Sequence, residues 1–392
     1  MNKTIGRAGL AALAMGLTTT GLMSGGASAQ PVGHGASHST NVTTNVATVQ
    51  VVADHLNTPR GLVYDRHNHR VLVAESGLEA GDTGPCTTGE EGTPLCFGPT
   101  GSIFQFSETG GFTGRIITGL PSEAIPGGGA VLGLHDLSLF DGRLLAVFGL
   151  LGTTETRTGL GPDAGLMAQA ARVNDTGKVV GFADTAAFEE QTYGADQESD
   201  AYGILTGHFG TVVVNPGGHP VDANGIGGND LLRVKPDGTI STIAEFPARV
   251  PAANPNDLVE SVPTCVARGP DGAFYVGELT GFPYYPGEAR IWRVVPGHQP
   301  TVFADGFTNI IDCTFDGQGR LLVLEIAHNG LLDPDQSGAL IRIRPDGQHR
   351  ILASDGLTNP GGVAVAGPGI FYVTNFTAST DGTGQLLRVT LN

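Results

Sequence analysis

Three glutamates stand at the same place in three apolar segments of the chain. "VLVAE" ends at Glu75, "FYVGE" at Glu278 and "LLVLE" at Glu325, and two similar segments end in the amides Asn215 and Asn375. A carboxylate directly after a run of apolar strand formers is either held by backbone donors at the edge of a sheet or directed at a ligand. Which of these applies depends on where the fold places the strand ends.

A second set of polar residues marks the start of the preceding strand in each unit: Arg60, His135, Asp136, Tyr202, Thr264 and Asp312. If both sets meet, their oxygens could bind a cation such as Ca²⁺ or hold a polyol or another polar organic ligand. The residues expected to bind the ligand are Glu75, Arg60, Asp136, Asn215, Glu278, Glu325 and Asn375. Those expected to hold a metal ion are Glu75, Glu278, Asp312 and Glu325.

Two residues are candidates for catalysis, His135 and Asp312. His135 and Asp136 make a poor acid–base pair because neighbouring residues on a strand point to opposite sides. The competing interpretation of the strand-end glutamates is structural: each accepts hydrogen bonds from amides of a neighbouring loop, and Arg60 neutralises one of them. Both interpretations stay open at the level of sequence.

The elements that position these residues come from a repeat. Two copies are clear, "SVPTCVARGPDGAFYVGE…ARIWRVV…PTVFA" and "TNIIDCTFDGQGRLLVLE…ALIRIR…RILAS", and each contains four short strands joined by glycine-containing turns. Four more divergent copies begin at Thr58, Leu132, Ser199 and Thr358. The last copy stops after its third strand, whereas "NVATVQVVADHL" (residues 45–56) has the pattern of a fourth strand.

This arrangement predicts an all-β, six-bladed β-propeller whose N-terminal strand pairs with the last blade and closes the ring. An open β-sandwich is the alternative all-β fold, but it would not require a ring-closing strand. The propeller would occupy residues 45–392. Its long connections, such as 76–100 and 149–168, would lie on one face, where binding sites are usually built.

The N-terminus has the features of an export signal. Lys3 and Arg7 precede an apolar stretch that ends at "ASA", so we expect residues 1–29 to be removed and residues 30–44 to form a flexible leader. The exported chain would keep 19 basic and 38 acidic side chains. Such a surface repels phosphate backbones and anionic lipids, which argues against nucleic acid or membrane partners. A small polar molecule or a partner protein is the expected partner.

The four cysteines separate into two pairs. Cys86 and Cys96 close a short loop, and in an exported protein we expect them to form a disulfide. Cys265 and Cys313 lie in corresponding strands but one register apart, so we expect two buried thiols. The sequence has no CxxC, GxSxG, HExxH, P-loop or dinucleotide motif in a suitable context, so nucleophilic and cofactor chemistry have no support.

Several segments together resemble the ScyD/ScyE family of exported bacterial proteins: "ARGPDGAFYVGELTGFPYYPGEARIWRVVPG", "ADGFTNIIDCTFDGQGRLLVLEIAHNGLL", "GALIRIRPDG" and "GLHDLSLFDGRLLAVFGL". The resemblance covers nearly all of the mature chain. It implies a six-bladed, NHL- or TolB-like propeller that is secreted or periplasmic, and it implies little chemistry. Compared with six-bladed lactonases of the gluconolactonase group, the strand starts "PTCV", "IIDC" and "PGGV" offer only Asp312 as an equivalent of a metal ligand.

Our leading hypothesis from the sequence is a secreted propeller with little or no catalytic activity. It would bind a small polar molecule, a cation or a partner chain on its long-loop face. The alternative is a metal-dependent hydrolase or lactonase in which Ca²⁺ polarises a carbonyl and Asp312 or His135 moves protons. A purely structural scaffold is the third hypothesis.

Overall fold

The structure is a computed structural model of the chain. It describes residues 47–392 except 82, 90–91, 128–129, 175, 218–224, 226, 253 and 345–346. The predicted export signal (1–29) and leader (30–44) lie outside the described residues. Within the described part of the chain, no helix is long and apolar enough to cross a membrane.

Antiparallel sheets form six blades, and the first strand, β1 (Ala47–Leu56), belongs to the last of them. Blade 1 contains β2 (Pro59–Asp65), β3 (Arg70–Glu75), β4 (Cys86–Thr88), β5 (Pro94–Ser107), β6 (Gly114–Ile125) and β7 (Ala130–Leu132). Blade 2 contains β8 (Leu134–Phe140), β9 (Arg143–Phe148), β10 (Gln169–Val173) and β11 (Val179–Asp184). Blade 3 contains β12 (Gly203–Gly207), β13 (Gly210–Pro216), β14 (Asn229–Val234) and β15 (Ile240–Glu245).

The second half of the ring has the same plan. Blade 4 contains β16 (Pro263–Arg268), β17 (Phe274–Glu278), β18 (Ala289–Val294) and β19 (Thr301–Phe307). Blade 5 contains β20 (Ile310–Phe315), β21 (Leu321–Glu325), β22 (Ala339–Ile343) and β23 (His349–Ala353). Blade 6 contains β24 (Gly362–Gly367), β25 (Ile370–Asn375) and β26 (Gly384–Leu391). Two short helices, α1 (Thr154–Gly159) and α2 (Thr185–Tyr193), lie in connections of blade 2.

The predicted ring closure is confirmed. β1 pairs antiparallel with β26, from Ala47 opposite Leu391 to Leu56 opposite Gly384. The six inner strands, β2, β8, β12, β16, β20 and β24, contact each other in ring order around the axis. β1 is thus the outermost strand of the last blade, and it links the start of the described chain to its end.

Packing between blades explains the apolar second strands. All five residues of β17 and all five of β21 are buried, because neighbouring blades cover both faces of each sheet. One hydrophobic cluster, for example, joins Val212 and Val214 of blade 3 to Phe274 and Val276 of blade 4. The strands therefore lack the alternating pattern of a half-exposed sheet.

The two disulfides give one confirmed prediction and one correction. Cys86 and Cys96 are directly opposite each other on β4 and β5 and form the expected bond. Cys265 and Cys313, predicted to be buried thiols, are instead joined to each other across blades 4 and 5. Register shifts at the start of β16 and of β20 displace the strand positions, so counting residues misjudged the direction of these side chains. Two disulfides fit an extracellular or periplasmic protein.

Candidate functional site

The strand-end glutamates make hydrogen bonds within their own blades. Glu75 accepts from the amide of Asn57 at 2.7 Å and from the hydroxyl of Ser102. The guanidinium of Arg115 donates to both carboxylate oxygens of Glu75 at 2.8 Å. The Glu75 carboxylate therefore connects the segment that leads into β2 with β5 and β6 of the same blade.

Glu278 has a similar but separate set of partners. Its side chain is 0% exposed and accepts from Arg249, from the hydroxyl of Ser261 and, at 2.8 Å, from the indole N–H of Trp292. Ser261 lies in the link that leads into β16. Glu278 therefore holds this link against its own blade, as Glu75 does in blade 1.

Glu325 accepts from the amide of Thr308 at 2.7 Å and bonds to Nδ1 of His328. Burial raises the pKa of Glu325, and the hydrogen bond with Glu325 raises the pKa of His328. Thr308 lies two residues before β20, which is the position that Asn57 occupies before β2. The same contact recurs in two blades.

Asn215 and Asn375 fill the equivalent positions without a charge. Oδ1 of Asn215 accepts from the hydroxyl of Ser199 at 2.8 Å, and Oδ1 of Asn375 accepts from the amide of Thr358 at 2.7 Å. All five strand-end residues thus cap the link that enters the first strand of their blade. This is the structural alternative of the sequence analysis, whereas the ligand role of these residues stays a prediction.

The predicted metal set is not gathered by these contacts, because Glu75, Glu278 and Glu325 each have partners in their own blade. Within the described residues, no group of three or more His, Cys, Asp or Glu is placed to hold a metal ion. The metal role of Glu75, Glu278, Asp312 and Glu325 therefore stays a prediction, and we derive no chemistry from a metal.

A buried cation, Arg60, lies near the start of the first inner strand. Arg60 is 2% exposed and donates to the carbonyl of Val131 at 2.9 Å, to Tyr202 Oη at 3.2 Å and to Ser76 Oγ at 3.3 Å. Thr264 is also buried, and its hydroxyl donates to the carbonyl of Ile310 at 2.8 Å. Arg60 therefore joins blade 1 to the segment that leads into blade 3, and it makes no ion pair with a strand-end glutamate, contrary to the expectation.

His135 is buried beside Tyr202. Its ring packs against Tyr202 with centroids 4.8 Å apart, and Nδ1 lies 3.5 Å from Oδ1 of Asp200. Burial, together with the charge of Arg60, lowers the pKa of His135 well below its usual value. His135 is 1% exposed and does not line the axial cavity described below, so no reactant could reach it there.

Asp136 and Asp312 occupy equivalent positions in blades 2 and 5, which lie opposite each other in the ring. Each is the third residue of its inner strand and follows a register shift, a feature that re-aims a side chain. Oδ1 of each accepts from the amide of the next residue at 2.7 Å. Oδ2 accepts from the inner strand of the following blade: Asp136 from Ile204 at 3.0 Å, and Asp312 from Val363 at 2.7 Å.

Both aspartates hold protons more tightly than usual. Burial raises the pKa of Asp312 to about 7, although the two backbone amides oppose the shift. Burial and the negative charge of Asp312 raise the pKa of Asp136 well above its ordinary value. The charge of Asp312 thus acts on Asp136, as expected for two acids that face the same site.

These aspartates line a cavity of about 440 Å³ on the propeller axis, and both are partly exposed to it. The other lining residues come from the later halves of all six inner strands and include Val63, Ser138, Thr206, Arg268, Thr314 and Val365. Arg66 and Gly317, which follow inner strands, also line the cavity. It therefore opens toward the face of the short hairpins, opposite the long-loop face predicted to bind.

The sequence analysis missed the hydroxyls of this cavity, Ser138, Thr206 and Thr314. One signal could have found the site: aspartate recurs at the third position of β8 and β20, in "LHD" and "IID". In blade 1 the same position is Gly61, where a Cβ would lie 2.1 Å from Oδ1 of Asp136. The small residue in one blade thus makes room for the acid of the next.

Known proteins share this architecture. No protein-family model and no curated protein matches the sequence. A gluconolactonase from Xanthomonas campestris superposes with a TM-score of 0.54 at 12% identity, over 88% of this chain and 90% of that one. A luciferin-regenerating enzyme gives 0.51 at 10% identity over 88% and 95%. A Bacteroides thetaiotaomicron protein of unknown function gives 0.50 at 8% identity over 88% and 76%. These likenesses show a shared fold.

Proposed function

We propose that the protein is an exported, ScyD/ScyE-like propeller that binds a small, hydroxyl-rich molecule in its axial cavity through Asp136 and Asp312. The observation that carries the proposal is the equivalent placement of two partly exposed acids at the same cavity. A volume of about 440 Å³ lies in the range of small-molecule pockets.

The chemistry of the lining suits hydroxyl groups. Each aspartate oxygen accepts one backbone hydrogen bond, which leaves a second lone pair on each oxygen for a ligand. A carboxyl group with a raised pKa keeps its proton to a higher pH than an ordinary aspartate, and in that form it can also donate. With the hydroxyls of Ser138, Thr206 and Thr314, the cavity offers donors and acceptors together, as alternating hydroxyls of a polyol require.

Calorimetric titration with glucose, gluconate and glucono-1,5-lactone tests this proposal. We expect at least one of these probes to bind the wild type and to bind Asp136→Asn/Asp312→Asn at least tenfold more weakly, the loss of about 1.4 kcal/mol. Asp141→Asn is the matched control, because Asp141 is exposed in the β8–β9 turn and does not line the cavity. Equal binding by the double variant, or no heat with any probe, would reject the proposal.

A second candidate is a hydrolase or lactonase, and the pKa of Asp312 favours it. A carboxyl group with a pKa of about 7 can take and return a proton near neutral pH. As its carboxylate takes a proton from water, the water oxygen would bond to the lactone carbonyl carbon. The ring C–O bond would then break, and the leaving oxygen would receive the proton. The product is the open hydroxy acid, and no other reactant is needed.

Hydrolysis of glucono-1,5-lactone in a pH-stat separates this candidate from simple binding. If Asp312 is the base, the enzymatic rate above the spontaneous rate should rise with pH around a midpoint near 7 and disappear in Asp312→Asn. Binding of the lactone without an enzymatic rate would leave the binding proposal in place and reject the hydrolase.

A further inference from the structure

Helix α2 carries an acid into the interior at the junction of blades 2 and 3. Glu189 is 0% exposed, and within the described residues neither of its carboxylate oxygens has a hydrogen-bond partner. A buried carboxylate without a partner is costly, because the charged form loses its hydration without compensation. Such a group is a candidate for interaction with a bound ligand.

Two more acids lie beside it. Asp230 on β14 and Glu245 on β15 are directly opposite each other in the antiparallel ladder, an arrangement that is unfavourable for like charges. Asp230 is 0% exposed, and within the described residues its side chain has a single contact, from the hydroxyl of Thr242 at 3.5 Å. Glu245 is exposed and accepts from Tyr193 Oη at 2.7 Å.

The three acids affect one another strongly. Burial, with the charge of Glu245, raises the pKa of Glu189 to about 9. Burial and the charges of Glu189 and Glu245 raise the pKa of Asp230 well above its ordinary value. The same cluster, after burial, raises the pKa of Tyr193. No Lys, Arg or His within the described residues acts on Glu189 or Asp230 to offset this negative potential.

A cavity of about 470 Å³ opens in front of the cluster, between the outer strand of blade 3 and blade 4. Glu245, Tyr193, Pro247, Trp292 and Pro300 are among its lining residues. The indole N–H of Trp292 donates to Glu278. Aromatic rings attract cations through their faces, more strongly where water is excluded. The cavity thus combines aromatic walls with an acidic end.

We propose that this pocket, lined by Glu245, Tyr193 and Trp292, binds a small organic cation, an alkylammonium or alkylguanidinium group. Glu245 is the direct contact, and the buried Glu189 behind it keeps its proton in the free protein and adds negative charge when a bound cation favours its ionised form. A metal ion would require three or more donors converging on one point, and the described residues hold no such group. An organic cation requires only one accessible carboxylate, a negative potential and aromatic walls.

Binding of a cation should release protons. A positive charge beside the cluster stabilises the ionised form of Glu189, so its pKa falls as the ligand binds. The apparent binding enthalpy of the wild type should then depend on the ionisation enthalpy of the buffer. This readout distinguishes electrostatic binding at the cluster from nonspecific apolar adsorption.

Calorimetry of the full chain with N-butylguanidinium, in phosphate and in Tris at pH 7.5, tests the proposal. The neutral isostere N-butylurea is the ligand control and should bind at least tenfold more weakly, a difference of about 1.4 kcal/mol. Glu245→Gln, an exposed substitution that should fold normally, should lower the affinity about tenfold, the size of a charge-assisted hydrogen bond. Glu189→Gln should weaken binding and abolish the dependence on buffer.

Two further titrations complete the test. Asp136→Asn/Asp312→Asn should bind N-butylguanidinium as the wild type does, because the axial cavity is a different site. Equal affinity for N-butylguanidinium and N-butylurea, or an affinity unchanged by Glu245→Gln, would overturn the proposal. So would tight binding of Ca²⁺ that excludes N-butylguanidinium, because the pocket would then be a metal site.

Discussion

Two sets of acids lie on the two innermost strands of different blades and have different surroundings. The strand-end glutamates, Glu75 and Glu278, are 0% exposed and bond to an arginine and to a hydroxyl. The axial aspartates, Asp136 and Asp312, accept only backbone amides from the protein and remain partly exposed to a cavity. The role of each acid thus depends on whether protein donors already occupy the lone pairs of its carboxylate oxygens.

A cation beside the acid is the main difference. Arg115 and Arg249 neutralise two of the glutamates, so these carboxylates can be ionised and buried at the same time. Neither aspartate has such a neighbour among the groups that shift its pKa. Burial raises their pKa values, and no neighbouring cation among these groups opposes the shift.

The largest expected effect is the loss of a buried ion pair. Glu278→Gln removes the charge that neutralises Arg249, whose side chain is only 12% exposed. An uncompensated buried charge should lower the free energy of unfolding by about 3–5 kcal/mol. Guanidinium chloride unfolding, followed by fluorescence with the disulfides intact, measures the difference.

The double variant Arg249→Met/Glu278→Gln sharpens this prediction. It removes both charges and keeps an amide oxygen for the hydroxyl of Ser261 and the indole of Trp292, so it should recover most of the lost stability. Glu155→Gln, at an exposed position of α1, should unfold like the wild type. If Glu278→Gln were as stable as the wild type, Glu278 would not be the structural cap inferred from its contacts.

The fold could be predicted from the sequence because it is repeated. Six copies of one pattern constrain the strands, and a missing fourth strand in the last copy predicts its replacement by residues at the N-terminus, as β1 confirms. The positions of Glu75, Glu278 and Glu325 at strand ends were also predictable. The repeat predicts where a residue lies along its strand, but it does not predict local irregularities such as register shifts.

The direction of the side chains could not be predicted, for two reasons. First, register shifts near the start of inner strands change which way residues point, as for Asp312 and the bonded Cys265–Cys313 pair. Second, the partners of the strand-end acids come from distant or irregular segments. Arg115 is 40 residues after Glu75, and Arg249 lies in a link between blades. No local sequence pattern predicts such an ion pair.

The next effect concerns the pH dependence of stability. The pKa of Asp312 is about 7 in the folded protein against an ordinary value of 3.8, so folding is favoured when this group is protonated. The contribution is fully present below about pH 4 and is lost as the pH rises through 7. We expect the wild type to lose on the order of 1–3 kcal/mol from this group across that window.

Unfolding curves of wild type and Asp312→Asn between pH 4 and 8 measure this contribution. The variant should be less stable at pH 4, because the side-chain amide cannot accept both backbone hydrogen bonds, and its stability should depend less on pH in this range. Asp141→Asn should keep the slope of the wild type. Parallel pH profiles for wild type and Asp312→Asn would contradict the assignment of a raised pKa to Asp312.

The smallest effect tests whether a strand-end cap requires a charge. Asn375 is 1% exposed; it accepts from the amide of Thr358 at 2.7 Å and donates to the carbonyl of Gly356 at 3.2 Å. Asn375→Ala leaves that amide without its acceptor and should cost about 1–2 kcal/mol in urea unfolding. Asn375→Asp retains the acceptor but brings a buried charge without an arginine beside it. Its free energy of unfolding should therefore fall as the pH rises and the new carboxyl group ionises. The alanine variant should show no such change. If the aspartate variant were fully stable at pH 8, a neighbouring cation would not be what separates the strand-end glutamates from the axial aspartates.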